Sequence, residues 1–432
     1  MKPNKKVLIV SYYWPPAGGI SPLRILKFVK YLRRFGWEPV VVVPEKADYL
    51  YYDDTYLKDI PENLEIHRTK IWEPFGAYRL LSGRGKKATN NPVYGNNAKK
   101  SLIDELSIWI RGNFFIPDAR MFWIRPTVKY LSRYLKDNKV DAILTDGPPH
   151  TNTVIGMRLA QKFNIPWLAD FQDPWTQVDY YAKMKIGKRA DRKHRRLEQE
   201  VFRTARKITI ASPTWAKDLE SIGARNVDVI YYGYDEDDFR DLKPSHNDDR
   251  FIISHTGIMG PDRNPETLFR VLHDMTVEDP EFARRLRLVL AGPVDPAVSD
   301  AIKTYGLEAY YEAWGNIPRR QALQLNMDSG ILLLPINKAP NAKGRLPGKL
   351  YEYLRVGRPV LALGPEDSDA AEIIRQTQAG TTLPYDDYER IRTFVSDIFH
   401  GRQKIAPVGV EKYSNLNQTG KLASFLDQIT QG

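Results

Sequence analysis

Short runs of apolar residues, rich in β-branched side chains, recur along the chain and alternate with amphipathic stretches. Most runs lack the alternating polar positions of a half-exposed strand, so they predict strands that are buried on both faces, as in parallel sheets. In the first half the predicted strands are Val7–Ser11, Pro39–Val43, Leu64–His67, Val140–Thr145, Pro166–Asp170, Ile208–Ala211 and Val227–Tyr231. The second series comprises Phe251–His255, Leu286–Ala291, Tyr310–Trp314, Gly330–Pro335, Pro359–Leu363 and Gly380–Leu383.

Segments with helical spacing lie between these strands, and examples are Ile20–Phe35, Thr151–Phe163, Pro265–Leu272 and Pro347–Val356. This alternation predicts an α/β fold with a doubly wound parallel sheet, and the two series predict it twice. The acidic, polar stretch 233–250 separates the two series and has little to bury. We therefore predict one domain at 1–232 and a second at 250–412, with a last helix at about 415–432 that returns to the first domain.

Two segments of the first half do not follow this alternation of strands and helices. The stretch 79–100 is polar, basic and rich in turn-forming residues, which predicts a mobile loop. The next segment, 101–126, carries the apolar and aromatic residues Leu102, Leu106, Trp109, Ile110, Phe114, Phe115, Phe122 and Trp123. These side chains either pack in the core of the first domain or form an interfacial patch that contacts a membrane, and composition does not separate the two.

The composition limits the classes of protein to which this chain can belong. The 432 residues are 42% hydrophobic and 27% charged, which is typical of a soluble globular protein, and the absence of cysteine excludes disulfides, thiolate metal sites and cysteine nucleophiles. No apolar run approaches the roughly 18 residues that span a bilayer, and we interpret the first run as a core strand rather than a signal peptide. The net charge of +11 favours contact with phosphate groups. The basic stretch Tyr180–Lys207 is either a solvated helix face or a surface for anionic lipid, and no nucleic-acid-binding motif accompanies it.

A loop with two prolines and two glycines follows the first strand, in VLIVSYYWPPAGGISPLRI at 7–25. A strand, a loop and a helix N-terminus form a common phosphate-binding arrangement. However, the loop has neither the G-x-G-x-x-G pattern of dinucleotide sites nor the Lys-Ser/Thr pair of a P-loop, which argues against a dinucleotide-dependent oxidoreductase.

A second candidate site lies at 344–363, GRLPGKLYEYLRVGRPVLAL. A loop rich in glycine and proline enters a helix near Pro347, and the helix ends at Gly357 before a buried strand. Loop amides, the helix N-terminus and Lys349 are suited to a diphosphate. Glu352, one turn later, can accept hydrogen bonds from the two vicinal hydroxyls of a ribose.

The last motif resembles the donor-site signature of GT-B glycosyltransferases similar to glycosyltransferase family 4. Segments 255–268 (HTGIMGPDRNPETL), 288–293 (LVLAGP) and 311–335 resemble that family's first C-domain strand and loop, its next strand and its base-pocket segment. Segment 146–175, which begins DGPPHTN, is similar to members that act on lipid-linked or polymer acceptors. The resemblance implies the GT-B fold, in which two doubly wound Rossmann-like domains face an inter-domain cleft.

The resemblance also implies roles for individual residues. Glu352 matches the ribose-binding glutamate, and Arg263 and Lys349 match basic positions that neutralise the departing diphosphate. The donor-binding set that it implies is Gly18, Gly19, Arg263, Gly344, Pro347, Lys349 and Glu352. The residues that it implies at the reacting centre are Asp173, Asp170 and His150, and those on the acceptor side are Tyr13, Trp14 and Arg24.

Two departures from the family pattern stand out: Gly344 occupies the position of a frequent second glutamate, and Ile258 that of an arginine. Purely structural interpretations also stay open for several residues. Glu352 could pair with Arg355 one turn away, and Asp170 could pair with an arginine. His150 could cap its helix, and Arg24 could lie on an exposed helix face.

The resulting functional prediction is a hexosyltransferase, retaining and metal-independent as the resemblance implies. It moves a sugar from a nucleotide-diphosphate donor to a hydroxyl of a glycan or lipid-linked acceptor in surface polysaccharide synthesis. Two alternatives are a catalytically inactive scaffold that binds nucleotide-sugar and an epimerase of the same fold. No cofactor, metal or nucleic-acid partner is expected, and the predicted location is the cytoplasm, with peripheral contact with anionic membrane left open.

Overall fold

The computed structural model describes residues 5–49, 51–73, 102–245 and 249–431, with the side chains of 102–104 excepted. The predicted loop at 79–100 lies outside this range. The chain divides into two compact units, Met1–Tyr231 with Asn415–Gly432, and Tyr232–Ser414.

The described part of the first unit contains a sheet of seven strands in the order β3-β2-β1-β4-β5-β6-β7, and every pair is parallel. Its strands are β1 (Lys5–Val10), β2 (Trp37–Pro44), β3 (Glu65–Thr69), β4 (Ala142–Gly147), β5 (Trp167–Phe171), β6 (Lys207–Ile210) and β7 (Val227–Val229). Its helices are α1 (Ile20–Leu32), α2 (Leu102–Phe114), α3 (Ile124–Asp137), α4 (His150–Phe163), α5 (Lys188–Thr204), α6 (Pro213–Ser221) and, from the end of the chain, α14 (Asn415–Thr430).

The described part of the second unit repeats this architecture with a parallel sheet of six strands in the order β10-β9-β8-β11-β12-β13. Its strands are β8 (Phe251–Thr256), β9 (Leu286–Ala291), β10 (Tyr311–Gly315), β11 (Ile331–Pro335), β12 (Val360–Leu363) and β13 (Gly380–Leu383). Its helices are α7 (Glu266–Glu278), α8 (Pro280–Arg285), α9 (Pro296–Thr304), α10 (Arg319–Asp328), α11 (Lys349–Val356), α12 (Asp369–Thr377) and α13 (Tyr388–Phe399).

The apolar runs form strands that are covered on both faces. In β1, Leu8 and Val10 belong to one hydrophobic cluster of the first unit, whereas Val7 and Ile9 belong to another. Successive side chains of a strand point to opposite faces, so the two clusters are the layers on either side of the sheet. The predicted doubly wound architecture is therefore confirmed. Because all strands are parallel, the loops that follow them meet at one edge of each sheet, where such folds place ligands.

The aromatic segment 101–126 divides between the two interpretations that the sequence leaves open. Ile108 and Trp123 are buried in the first unit, with 3% and 0% exposure. By contrast, the large apolar side chains of Leu106, Trp109, Ile110, Phe114 and Phe122 are exposed. A core role is thus wrong for most of the apolar side chains that the structure describes in α2, and it is correct for Trp123.

Candidate functional site

In the second unit, the loops after β8 and β11 meet at the carboxyl edge of the sheet. The backbone N–H of Lys338 donates to the carbonyl oxygen of Asp262 over 3.0 Å, which joins the two loops. Gly257 directly follows β8 with φ of +129°, and a Cβ at this position would lie 2.5 Å from Lys349 Nζ. Glycine is favoured there because L side chains rarely adopt this backbone conformation, whereas the flexible end of Lys349 could move away from a Cβ.

Lys349 opens α11 and contacts a buried histidine. Its Nζ lies 3.0 Å from Nε2 of His255, whose Nδ1 lies 3.0 Å from the carbonyl oxygen of Leu333. Since a carbonyl oxygen can only accept, Nδ1 carries the proton of the neutral ring and Nε2 accepts from the Lys349 ammonium. Burial, and then the neighbouring charge of Lys349, hold the pKa of His255 well below its ordinary value. His255 is thus a neutral acceptor that fixes the lysine.

The surroundings of Lys349 favour an anion. Burial, and then the charge of Arg263, lower the pKa of Lys349 to about 7. Arg263 ends a short helical turn, and its Nη1 donates to the carbonyl oxygen of Ile258 over 3.3 Å. Its buried Nε has no hydrogen-bond partner among the described residues, and neither has Oδ1 of Asn337 in the adjoining loop. Two cations and the unpaired Nε donor of Arg263 beside a helix N-terminus are the features of a phosphate site, whereas the Asn337 oxygen is an acceptor and does not add to them.

Glu352 lies on the first turn of α11 and is held by an arginine from another helix. Its Oε1 lies 2.7 Å from Nη2 of Arg319, which also lies 3.1 Å from Oδ2 of Asp238. The alternative pairing with Arg355 does not occur, because the Nε of Arg355 lies 2.8 Å from Glu236 Oε1. The Glu352 side chain keeps 15% exposure and can still accept hydrogen bonds from a ligand. The structure thus brings Glu352, Lys349 and Arg263 together in one unit.

The other two predicted donor residues lie in the loop before α11. Gly344 is buried at the end of the helical turn Ala342–Gly344. Pro347 is half-buried, and its carbonyl oxygen accepts from the N–H of Leu350 over 2.9 Å, which forms the first turn of the helix. Neither contributes a side-chain polar group, so their part is to shape the loop.

In the first unit, the loop after β1 carries Gly18 and Gly19. The Gly18 N–H donates to the carbonyl oxygen of Tyr51 over 2.8 Å, whereas Gly19 has φ of +90° with open space where a Cβ would stand. Tyr13 is half-buried at the start of this loop. Trp14, by contrast, is 1% exposed and belongs to a core cluster. The prediction that Trp14 shapes the acceptor side is therefore corrected, because its ring is enclosed by apolar side chains.

Arg24 and Asp170 form an ion pair in the interior of the first unit. Arg24 Nε and Nη2 donate to the two carboxylate oxygens of Asp170 over 2.7 and 2.8 Å, and both side chains have 0% exposure. The Thr209 hydroxyl adds a third hydrogen bond to Asp170 over 2.6 Å. The predictions of Arg24 as an acceptor contact and of Asp170 at the reacting centre are therefore corrected to structural roles. These contacts join α1, β5 and β6 in the interior of the first unit.

His150 and Asp173 follow the neighbouring strands β4 and β5. Asp173 is half-buried in its loop, whereas His150 is buried and stacks on the Trp175 ring with centroids 4.3 Å apart. Burial lowers the pKa of His150 to about 3, so its ring is neutral. Of the residues predicted at the reacting centre, Asp173 is the one that is partly open to solvent. His150 is enclosed and packs against the Trp175 ring.

Sequence reasoning missed three residues. His255 occupies a strand that is otherwise mainly apolar, and Arg319 opens the helix after the predicted base-pocket loop; a polar residue in a buried strand was the available signal for the first. Asp146 is the penultimate residue of β4 and lies opposite Asp170, and burial, followed by that neighbouring charge, raises the pKa of Asp146 to about 8. Ser11, Asn152 and Gln172 donate to Asp146, which ties together the loops after β1, β4 and β5.

Two features are absent from the described residues. They contain no group of three or more His, Asp or Glu side chains that could hold a metal ion. None of their helices combines the length and apolarity needed to cross a bilayer. Metal independence itself stays a prediction.

Comparison with known proteins gives matches to one family and to many solved structures. The family described as glycosyl transferase 4-like domain matches residues 104–233. A glycosyltransferase from Rickettsia africae ESF-5 is 16% identical with a TM-score of 0.59, and 99% of this chain and 100% of that chain are covered. Sucrose-phosphate synthase from Thermosynechococcus elongatus is 14% identical with a TM-score of 0.57, covering 99% and 97%.

An enzyme of another kind has a similar structure. UDP-GlcNAc 2-epimerase from Methanocaldococcus jannaschii is 10% identical with a TM-score of 0.54, covering 98% of this chain and 99% of that chain. A search of curated protein sequences gives no significant match. At such identities the solved structures establish the fold alone. The chain therefore has the GT-B fold of two Rossmann-like units, and its residues 104–233 match a glycosyl transferase 4-like domain.

Proposed function

We propose that this protein is a glycosyltransferase that moves a hexose from a nucleotide-diphosphate donor to a hydroxyl of a glycan or lipid-linked acceptor in surface polysaccharide assembly. The observation that carries the proposal is the grouping of Lys349, Arg263 and Glu352 at the carboxyl edge of the second sheet. The two cations bind the diphosphate of the donor. Glu352, oriented by Arg319, accepts hydrogen bonds from the ribose hydroxyls.

In the proposed reaction the bond between the sugar carbon and the phosphate oxygen breaks, and its electron pair leaves with the nucleoside diphosphate. Lys349 and Arg263 stabilise the charge that grows on that phosphate, a role that a divalent metal would otherwise supply. The acceptor oxygen bonds to the sugar carbon and loses its proton. In a retaining reaction the leaving phosphate takes this proton and Asp173 orients groups; in an inverting one Asp173 takes it as the base.

The test uses the purified full-length chain and a panel of nucleotide-sugars. Thermal shift identifies the donor, because a ligand of the folded state raises the melting temperature, and product formation is then followed with glycan and lipid-linked acceptors. We expect Lys349→Met and Glu352→Gln to reduce transfer by about one hundredfold, which corresponds to losing about 3 kcal/mol of stabilisation. The exposed control variants Lys303→Met and Glu308→Gln should retain activity. Unchanged transfer in both site variants would exclude this donor site.

The same protein and nucleotide-sugar panel also test two alternative functions. The fold is shared with an epimerase, and Gly344 stands where the resemblance led us to expect a glutamate, which favours an inactive scaffold. Conversion of a nucleotide-sugar to its epimer without acceptor identifies the first alternative. Binding of nucleotide-sugar without turnover on any acceptor identifies the second.

We also propose a cytoplasmic location with peripheral contact with anionic membrane. The exposed side chains of Trp109 and Phe114 lie on α2, which packs against the basic helix α5. Asn113 joins the two segments, since its Oδ1 accepts from the N–H of Gly187 over 2.8 Å. Aromatic side chains beside lysines and arginines are typical of a surface that contacts anionic lipid headgroups.

A further inference from the structure

A groove on the first unit carries a concentration of positive charge that the proposed donor site does not use. It lies between α3 and α4 and has a volume of about 410 Å³. Its lining consists of Val128, Ser132 and the cationic residues Arg125, Lys129, Arg133, Lys136, Arg158 and Lys162. All six cationic side chains are exposed.

This charge is not neutralised within the described part of the chain. No carboxylate is among the described residues that line the groove, and none of its cations takes part in an ion pair there. Lys162 Nζ donates to the Ser132 hydroxyl over 3.0 Å, which positions the ammonium group without cancelling its charge. Like charges on successive turns of a helix repel each other, so this arrangement has a cost that an anionic ligand would remove.

The cations are arranged in rows. Arg125, Lys129 and Arg133 follow one another at every fourth residue of α3, and Arg158 and Lys162 have the same spacing on α4. A step of four residues advances about 6 Å along a helix. The two rows thus offer positive charge at regular intervals along both walls of the groove. We propose that this groove binds a linear anionic glycan chain, whose negative groups also recur at regular intervals.

The lining distinguishes such a chain from two other polyanions. A protein surface that contacts a bilayer carries several exposed apolar side chains, whereas the apolar lining residue of this groove is Val128. Nucleic acids in single-stranded form are bound by aromatic rings that stack on the bases, and no described aromatic residue lines the groove. An anionic glycan needs neither feature.

This inference deepens the proposed function, on which its biological meaning rests, because it names an acidic polymer as the class of acceptor. Binding to the groove is nevertheless measured without a donor. The two can therefore fail separately: loss of glycan binding leaves nucleotide-sugar binding in place, and an inactive donor site leaves glycan binding in place.

The experiment measures fluorescence anisotropy of a labelled, size-defined heparin oligosaccharide with the full-length chain at several salt concentrations. We expect saturable binding that weakens as salt rises, and a loss of about tenfold or more in Arg133→Glu/Arg158→Glu. The neutral variant Arg133→Gln/Arg158→Gln should show a smaller loss of the same kind. The matched control Lys217→Glu/Arg225→Glu changes two other exposed cations of the first unit by the same total charge and should bind almost as the wild type does.

Three outcomes would overturn the proposal. The first is that the wild type does not bind the oligosaccharide. The second is an equal loss in the groove and control variants, which would indicate attraction to net charge alone. The third is tighter binding, in competition at equal charge, of single-stranded DNA, or of vesicles that contain phosphatidylglycerol when the protein is Trp109→Ala/Phe114→Ala and so lacks the proposed α2 contact. Retained melting temperature and circular dichroism in the variants show that a loss of binding does not arise from unfolding.

Discussion

Lys349 carries its charge in surroundings that disfavour it, because burial and Arg263 lower its pKa to about 7. An ordinary lysine has a pKa near 10.4, so this side chain is the one at the site that changes charge near neutral pH. A bound diphosphate would favour the charged form and raise its pKa again. His255 has the opposite property, since its neutral ring accepts from the ammonium group without adding charge. Lys349 can therefore take up a proton when a diphosphate binds to the donor site.

From this we predict that binding of the free nucleoside diphosphate weakens as the pH rises from about 7.5 to 9. Above the pKa of the free lysine the site must take up a proton in order to bind, so the dissociation constant should rise by up to tenfold per pH unit. Isothermal titration calorimetry in two buffers of different ionisation enthalpy measures this uptake directly. In Lys349→Met the proton uptake should vanish, whereas Lys303→Met should retain it. A wild-type affinity that does not change over this pH range would contradict the assignment.

At the scale of elements, α2 has an unusual distribution of apolar residues. Ile108 is buried, while Trp109 is 43% and Phe114 64% exposed, with ring centroids 5.6 Å apart. Exposed aromatic side chains that contact each other favour a binding surface more than a scattered apolar residue does. The neighbouring α5 is cationic along its exposed face, and this combination supports the proposed membrane contact.

We predict that the full-length chain floats with liposomes that contain anionic lipid and much less with neutral ones. Trp109→Ala/Phe114→Ala should reduce the bound fraction severalfold, because aromatic burial at the interface supplies much of the binding free energy. The control is Trp314→Ala, which removes an aromatic side chain of similar exposure from the second unit. Equal flotation of all three proteins, or flotation of none, would rule out the contact through α2.

At the scale of the whole molecule, the chain leaves the first unit at Tyr231 and returns to it at Asn415. The returning helix α14 places Leu422, Phe425 and Leu426 in the cluster that covers one face of the first sheet. Lys5 Nζ also lies 2.7 Å from Oδ1 of Asp427, so the first strand and the last helix are joined. The second unit is therefore an insertion in the sequence of the first, and the first cannot complete its core until the last helix is made.

We predict that Leu426→Ala destabilises the first unit by about 2–5 kcal/mol, the cost of removing a buried leucine and leaving a cavity. Gln428→Ala, at an exposed position of the same helix, should change the stability by less than about 0.5 kcal/mol. Chemical denaturation followed by hydrogen exchange assigns the loss to each unit. If the second unit loses protection and the first does not, the assignment of α14 to the first unit is wrong.

The donor motif shows which residues of a site can be predicted from the sequence and which cannot. Lysine at the helix start and glutamate one turn later were predicted from local spacing, because each depends on a single loop and helix. Arg319 and His255 were not predicted, since they reach Glu352 and Lys349 from segments that are distant in sequence. The same reason explains the errors on Asp170 and Arg24, which are 146 residues apart and meet in the interior.

The sequence by itself determined the doubly wound architecture of both units, because uninterrupted apolar runs require strands that are covered on both faces. It also determined where the loops after those strands lie along the chain, because glycine and proline residues mark the ends of strands and helices. Only the tertiary structure decided which polar residues are enclosed, as Asp170 is, and which aromatic residues are exposed, as Phe114 is. Burial depends on what packs against a residue from elsewhere in the chain, and that information is absent from any local pattern.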